Sequence, residues 1–175
     1  PNPAVAGTST YDDAGIWNGS PERYDWKLLG KQEMLVPASN YAFLFEQPVE
    51  NLLGERFLSP EHTRWEKHRV WVVEGTLKDG LRHLYSKRRI YIDEDSWSAA
   101  AGETWDGKGN LWRVSYAYVA RLYDRKSGAG ATGAYDLLQD IYNLNGKPIP
   151  GKFKNGVSQN AKYFTPKGLA RGGVR

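Results

Sequence analysis

The side chains with chemistry to offer are few, and their spacing limits what they can do. Asp93, Glu94 and Asp95 are consecutive acids. Glycoside hydrolysis needs two carboxylates facing each other across a cleft. Three neighbours on one turn do not face one another and are expected to cap and solvate that turn. Glu46, Glu50, Glu55 and Glu61 fall in an irregular stretch where no pair stands out. His62 and His68, with Glu61 and Glu66, loosely suggest a metal site. No helical spacing sets two histidines on one face, and His-Glu-x-x-His does not occur, so no metal is expected. His83, beside Arg82, reads as a surface residue. The chain has no cysteine, which removes disulfides, thiol nucleophiles and Cys-ligated zinc together. Gly-x-Ser-x-Gly is absent. Asp106-Gly107-Lys108-Gly109-Asn110 has the glycines and lysine of a phosphate loop, but it joins two strands and lacks a helix N-terminus behind it. The chain is read as non-enzymatic and without a cofactor.

Lys87, Arg88 and Arg89 form the sharpest basic cluster. Alternation sends Arg88 to one face of a strand and its two neighbours to the other, and Arg113 and Arg121 could extend the strip. Edge protection and cross-strand pairing with Glu74 or Glu103 account for it. A nucleic-acid surface would interleave aromatics on the same face. The net charge of +4 is too mild to demand nucleic acid or anionic lipid, and no nucleic-acid partner is expected.

The aromatic set says more, with 7 Trp and 11 Tyr among 175 residues. Trp112, Tyr116 and Tyr118 fall at alternating positions, which places them on one face of a strand. They are either ordinary sheet core or the wall of an apolar cradle for a lipid or other hydrophobic ligand. The excess of Tyr suits a surface that is sometimes wet. Candidate lining residues are Trp71, Val73, Trp112, Tyr116 and Tyr118.

The elements that must position these residues are mostly strands. Residues 1–22 are polar and read as an extended arm, with Tyr11, Ile16 and Trp17 as its large apolar groups. Residues 23–145 form the β domain, and 146–175 a basic, Gly-rich tail with Tyr163 and Phe164 as possible anchors. Residues 23–29 and 31–36 are two short strands or one bent strand, with Gly30 as the bulge or kink. Residues 41–45 form a strand or a buried turn. Ser59-Pro60-Glu61 is a helix start signal. Residues 69–77, 83–93, 96–105 and 111–123 are strands. They are separated by Lys78-Asp79-Gly80, by Glu94-Asp95, and by a 106–110 hairpin turn with Gly107 at positive φ. A flexible loop spans 124–132, and one more strand spans 133–144. The fold class is mainly β: a curved antiparallel meander with one or two short helices. No apolar run is long enough to span a bilayer.

Three stretches carry a family resemblance: residues 24–31 (YDWKLLGK), 64–73 (RWEKHRVWVV) and 85–97 (YSKRRIYIDEDSW). They resemble the DUF1329 family, uncharacterised secreted proteins of Gram-negative bacteria. The likeness covers roughly residues 11–125 and returns weakly at Tyr135-Asp136-Leu137 and Phe164-Thr165-Pro166. It implies the C-terminal part of a longer protein with no catalytic residues to carry over. The rhythm of Ile90-Tyr91-Ile92-Asp93, Trp97 and Trp105 to Asn110 is also similar to the LolA/LolB lipoprotein-carrier fold, a half-barrel that holds acyl chains. Two roles follow as expectations. One is a periplasmic or outer-membrane-associated protein that binds or carries a hydrophobic ligand. The other is an interaction module whose sheet packs on a partner chain, a missing N-terminal portion or a second copy. A truncated sheet would hide its uncovered face by self-association or under its own arm.

Overall fold

Seven strands follow one another along the chain, each pairing antiparallel with the next: β1 Tyr24–Pro37, β2 Trp65–Leu77, β3 Lys87–Asp93, β4 Ala99–Trp105, β5 Leu111–Leu122, β6 Ser127–Asp136 and β7 Ile141–Asn145. The computed structural model describes residues 7–123, 127–148 and 160–172. The sheet does not close, so β1 and β7 are its edges. It is nevertheless curved. Just past β1, Asn40 donates its backbone N–H to Val119 O of β5 at 2.9 Å, although three strands lie between them in sheet order. Register irregularities at Leu28/Gly30, Tyr91/Ile92 and Thr104/Trp105 supply local bends, as bulges do. Gly30 sits at φ +114°, and of the two forms expected around it, two short strands or one bent strand, β1 is the bent strand.

Residues opposed in register share a face. The row Val72, Tyr91, Ala101, Tyr116, Gly133 belongs to the inner face. There Val36, Ala38, Val70, Val72, Tyr91 and Ala101 form one buried cluster. The row Trp26, Gly75, Arg88, Thr104, Arg113, Asp136 belongs to the outer face.

Each face has its own cover. Residues 38–64 leave the sheet after β1 and cross the inner face. They carry α1 (Val49–Leu52) and bury Phe43, Leu44, Leu52 and Leu58 against Tyr118 and Ala120. Residues 7–22, the described part of the arm, cross the outer face. Ile16 packs on Ile90 and Ala117, and Gly102 makes room for it, since a Cβ there would stand 2.7 Å from Ile16 Cγ2. Trp17 meets Trp26 at 4.9 Å between ring centroids. Tyr11, by contrast, is 71% exposed and covers nothing.

Several boundaries differ from the sequence expectation, each for a local reason. Of the two forms expected for residues 41–45, the buried turn is the one present, as the wide helical turn Ala42–Glu46 that buries Phe43 and Leu44. Ser59-Pro60-Glu61 starts only one 3-10 turn, Pro60–His62, and Ser59 makes no side-chain cap. β3 starts at Lys87, because His83 and Tyr85 are drawn into the outer-face network described below. Residues 127–132, expected as loop, belong to β6. The predicted strand 133–144 is two strands. Asp136 accepts from the N–H groups of Leu138 and Gln139 at 3.1 and 3.0 Å, and Asp140 takes φ 56°, which turns the chain into β7. In the 106–110 turn Gly109, not Gly107, has positive φ, at +85°. Asp106 fixes that turn by accepting from the backbone N–H of Lys108 and Asn110.

In the tail, a 3-10 turn Ala161–Phe164 leads into α2 (Pro166–Gly172). Phe164 is 70% exposed. The expectations for residues 1–6, 124–126, 149–159 and 173–175, and for the Tyr163 side chain, lie outside the described residues. Among the described residues no helix is long and apolar enough to cross a membrane.

Candidate ligand clefts on the inner face

The excursion 38–64 is pinned at its base by the buried Asn40. Its side chain donates to Ala38 O and Arg64 O at 3.1 and 3.2 Å and accepts from Arg64 N–H at 2.9 Å. From that base Phe43 lies flat on Tyr118, with ring centroids 4.4 Å apart and planes at 3°. The excursion fills the middle of the inner face and leaves an opening on either side of it.

The first opening is an aromatic cleft of about 520 Å³, walled by Leu58, Trp65, Tyr116, Tyr118, Tyr135 and Ile141. Trp65 meets Tyr116 edge-on at 5.5 Å, and Tyr116 meets Tyr135 edge-on at 6.3 Å. Tyr118 and Tyr135 share a hydrogen bond between their hydroxyls at 2.8 Å. Burial pushes the phenol pKa of Tyr116, Tyr118 and Tyr135 up, so all three stay neutral. Gly133 lets two of the wall residues pack close to the sheet: a Cβ there would stand 2.9 Å from Leu58 and 3.0 Å from the Tyr118 ring.

The second opening is a groove of about 830 Å³ at the ends of the strands, walled by small residues, among them Ala38, Ala100 and Ala120 of the inner face and Ala99 and Gly130 of the outer. Its polar pole is His68 and Asp93. His68 Nδ1 lies 2.5 Å from Asp93 Oδ2, and Nε2 lies 3.3 Å from Glu66 Oε2. The bond to Asp93 raises the His68 pKa; burial opposes it and Glu66 assists it. Burial raises the Asp93 carboxyl, but the bonds from His68 and Ser96 outweigh it, so its pKa is held below the usual value. The pole therefore favours the protonated imidazole, which lies between two carboxylates. Among the described residues no cluster of His, Cys, Asp or Glu is arranged to hold a metal ion.

The five candidate lining residues do not meet. Tyr116 and Tyr118 do, in the aromatic cleft. Tyr118 is buried beneath Phe43 and acts as core, while the half-buried Tyr116 forms wall. Trp71 and Val73 point to the outer face, since Trp71 opposes Ile92 and Val73 opposes Ile90. Lys31 Nζ sits 4.2 Å over the Trp71 ring. Their inner-face neighbours are Val70 and Val72. Residues 69–77 are apolar at both parities, so alternation alone cannot set their phase. Trp112 is turned outward by the irregularity at Thr104/Trp105, where Trp105 pairs with Leu111 and Thr104 with Arg113. That leaves Trp112 as the extra residue of a bulge, which re-aims its side chain. It donates to Asp136 Oδ2 at 2.8 Å and stacks 4.2 Å from the Arg113 guanidinium.

Sequence reading missed the outer-face network around that tryptophan. Arg113 donates to Asp136 at 3.0 Å, to Tyr85 Oη at 2.7 Å and to Gly7 O at 2.7 Å. Tyr85 Oη in turn donates to Asp13 of the arm at 2.7 Å. Arg88 is buried among Trp17, Tyr24 and Tyr85. His83 is not a surface residue: its side chain is 8% exposed, bonded to Tyr24 Oη, and 3.3 Å from Asp12. Burial, helped by Arg88, lowers its pKa. Arg89, one position along, makes the expected cross-strand pairs with Glu74 and Glu103 at 2.7 and 3.6 Å. Nothing in the spacing of Arg88, Arg113 and Asp136 distinguishes them from surface charges. Of the interior wall residues, Tyr135 carried a signal, because it continues the apolar alternation with Leu137; Trp65 carried none, since Lys67 and Arg69 follow it at strand spacing.

Over residues 1–170 the chain matches the model of a family described as DUF1329, protein of unknown function. An uncharacterized protein of Pseudomonas aeruginosa is 39% identical over 181 aligned residues, which take in all of this chain and 39% of that protein. Among solved structures, a domain described as that of an outer membrane lipoprotein-sorting protein from Vibrio parahaemolyticus has a TM-score of 0.49 at 15% identity, covering 86% of this chain and 50% of that one. A DUF1329 family protein from Desulfovibrio piger has a TM-score of 0.41 at 15% identity, covering 85% and 48%. The chain thus spans about half or less of the length of the proteins it matches.

Proposed function

Because the chain belongs to the DUF1329 family, for which no function is known, we propose from its geometry that it binds or carries a lipid or other hydrophobic molecule on the inner face of its sheet, as a non-enzymatic component of the periplasm or outer membrane. The observation that carries this reading is the pair of openings beside the 38–64 excursion, of about 520 and 830 Å³. Ligand sites fall at roughly 300–1,000 Å³, are lined mainly by apolar side chains and have few polar groups. Here the polar groups are the tyrosine hydroxyls in one cleft and the His68–Asp93 pole in the other.

The test is titration of the delipidated chain with a fluorescent palmitate analogue, beside mass spectrometry of whatever organic solvent extracts from the purified protein. Saturable binding is expected. Ala100→Phe should weaken it by filling the groove, or Tyr116→Ala by removing a wall of the cleft. Absence of saturable binding together with a clean extract would sink the reading.

A second reading has one observation in its favour. Leu28 and Leu35, on the edge strand β1, are 58% and 59% exposed, as expected of a sheet edge that packs on a partner chain or a second copy. Sedimentation of the free chain separates the readings: a tight dimer without bound ligand favours the interaction module.

A further inference from the structure

Under the arm, the outer-face row runs Arg88, Thr104, Arg113, Asp136 across β3 to β6. Arg113 uses all three of its nitrogens on Asp136, Tyr85 and Gly7. Arg88 does not. It is 1% exposed. Its Nη2 donates to Tyr24 Oη at 3.4 Å, and Nη1 stands 3.7 Å from Asp13 Oδ1, beyond the reach of a direct hydrogen bond. Three buried polar atoms here find no hydrogen-bond partner in the protein: Arg88 Nε, Asp13 Oδ1 and Thr104 Oγ1. Their three residues line one cavity of about 10 Å³, closed over by Thr8 and Ile16 of the arm.

Buried polar groups in native proteins are paired with protein or with ordered water, and a polar cavity of roughly 10–15 Å³ accommodates one water. We propose that this cavity is a binding site for a single water molecule that joins the arm to the sheet. The water accepts from Arg88 Nε–H and Thr104 Oγ1–H and donates to Asp13 Oδ1. Charge selects a neutral ligand. Arg88 and Arg113 are already matched by Asp13 and Asp136, so an ion of either sign would leave the buried network unbalanced. An anion would also meet the Asp13 carboxylate, and a cation the Arg88 guanidinium. The site sits on the opposite face from the clefts and does not depend on what they bind.

A crystal structure of the chain at a resolution that orders buried solvent tests the site directly. One peak is expected within hydrogen-bond distance of Arg88 Nε, Thr104 Oγ1 and Asp13 Oδ1, with no anomalous signal there after a bromide soak. Thr104→Val keeps the shape and removes one partner, whereas Thr104→Ser keeps the hydroxyl. Amide hydrogen exchange over residues 8–16 should quicken several-fold in the valine variant and stay near the parent rate in the serine variant. Three results overturn the proposal: a bromide signal in the cavity, no peak because Arg88 has closed directly onto Asp13, or equal exchange in the two variants. If Thr104→Val does not fold, the parent density decides alone.

Discussion

The inner and outer faces of one sheet are both covered, yet by different chemistry and with different results. The inner face is covered by residues 38–64 through apolar contact, Phe43 on Tyr118 and Leu52 and Leu58 beside them. Hydrogen bonds fix the base of that excursion at Asn40 and reach it beyond the base at isolated points, from Tyr142 Oη to Gly54 O and from Lys147 Nζ to Leu44 O. Apolar contact is non-directional, so it holds the excursion over the middle and leaves open clefts on either side. The arm on the outer face adds a set of directed bonds to its apolar contact at Ile16 and Trp17: Gly7 to Arg113, Asp13 to Tyr85, and Trp26 Nε1 to Pro21 O at 2.9 Å. Directed bonds need fixed distances, and around Arg88 and Arg113 what remains beneath the arm is a cavity of about 10 Å³, with a larger opening of about 230 Å³ only where the arm passes β6 and β7. A face meant to admit a hydrophobic molecule is better closed in the first way, and a face meant to stay shut in the second.

The largest effect should come from breaking the outer-face seal. Arg113→Ala removes the partner of Asp136, whose side chain is 0% exposed, and takes the anchors of Tyr85 and Gly7 with it. Removing one member of a buried ion pair costs about 3–5 kcal/mol. Urea denaturation should register a loss of that size. A loss near the value of an ordinary surface substitution would mean that water reaches Asp136 and that the outer face is not sealed.

The arm itself gives the next contrast. Ile16 is 5% exposed and Tyr11 71%. Ile16→Ala should cost about 2–4 kcal/mol, by lost burial and a residual cavity over Gly102. Tyr11→Ala should stay within about 0.5 kcal/mol. If the two melt alike, the arm is not docked in solution as it is here.

The comparison bears on what could be read from the sequence. The meander was legible because turn chemistry separates its strands, at Lys78-Asp79-Gly80, Glu94-Asp95 and Asp106–Asn110. The cover over the outer face was legible at Ile16 and Trp17, large apolar groups in a polar arm. Facing was not. β2 is apolar at both parities because both faces are buried, so Trp71 and Val73 carried no phase. Trp112 is re-aimed by a bulge whose only sequence trace is one residue too many between Trp105 and Arg113. β6 hides in a run of Gly, Ala, Ser and Thr that reads as loop. It is a strand because β5 offers it a full hydrogen-bonding edge from Leu122 to Arg113, and because Gly133 leaves space for Leu58 and Tyr118. Tertiary demand there overrides local propensity.

A pair of aromatic substitutions turns the two faces into separable measurements. Trp112→Ala should lower stability by about 2–4 kcal/mol, since it strips a stacked, hydrogen-bonded side chain from Arg113 and Asp136. It should leave binding of a hydrophobic probe unchanged. Tyr116→Ala should cost less stability, its ring being half-buried at an opening, and should weaken probe binding. The comparison fails if Trp112→Ala abolishes binding in a variant that still folds, because the ligand would then sit on the outer face.

The smallest effect concerns the polar pole of the groove. His68 has a pKa raised above its ordinary 6.5, chiefly by the bond to Asp93, so folding favours its protonated form. Its contribution to stability is complete below about pH 6.5 and is lost as the pH rises through the higher folded value. Asp93 has a lowered pKa despite its burial, through the bonds from His68 and Ser96. Its contribution is present above the ordinary carboxylate value and is lost as the pH falls through the lower folded value. The pair is thus intact across mildly acidic pH and loosens on either side. His68 is 26% exposed at its side chain and Asp93 10%, so solvent screens the pair in part and its worth is near the upper end of the roughly 0.2–1 kcal/mol of exposed pairs. His68→Gln should therefore lower the melting temperature slightly at pH 5.5, with the difference shrinking as the pH passes the folded His68 value. A difference that grows toward alkaline pH would mean that the neutral imidazole, not the imidazolium, is what the groove holds against Asp93.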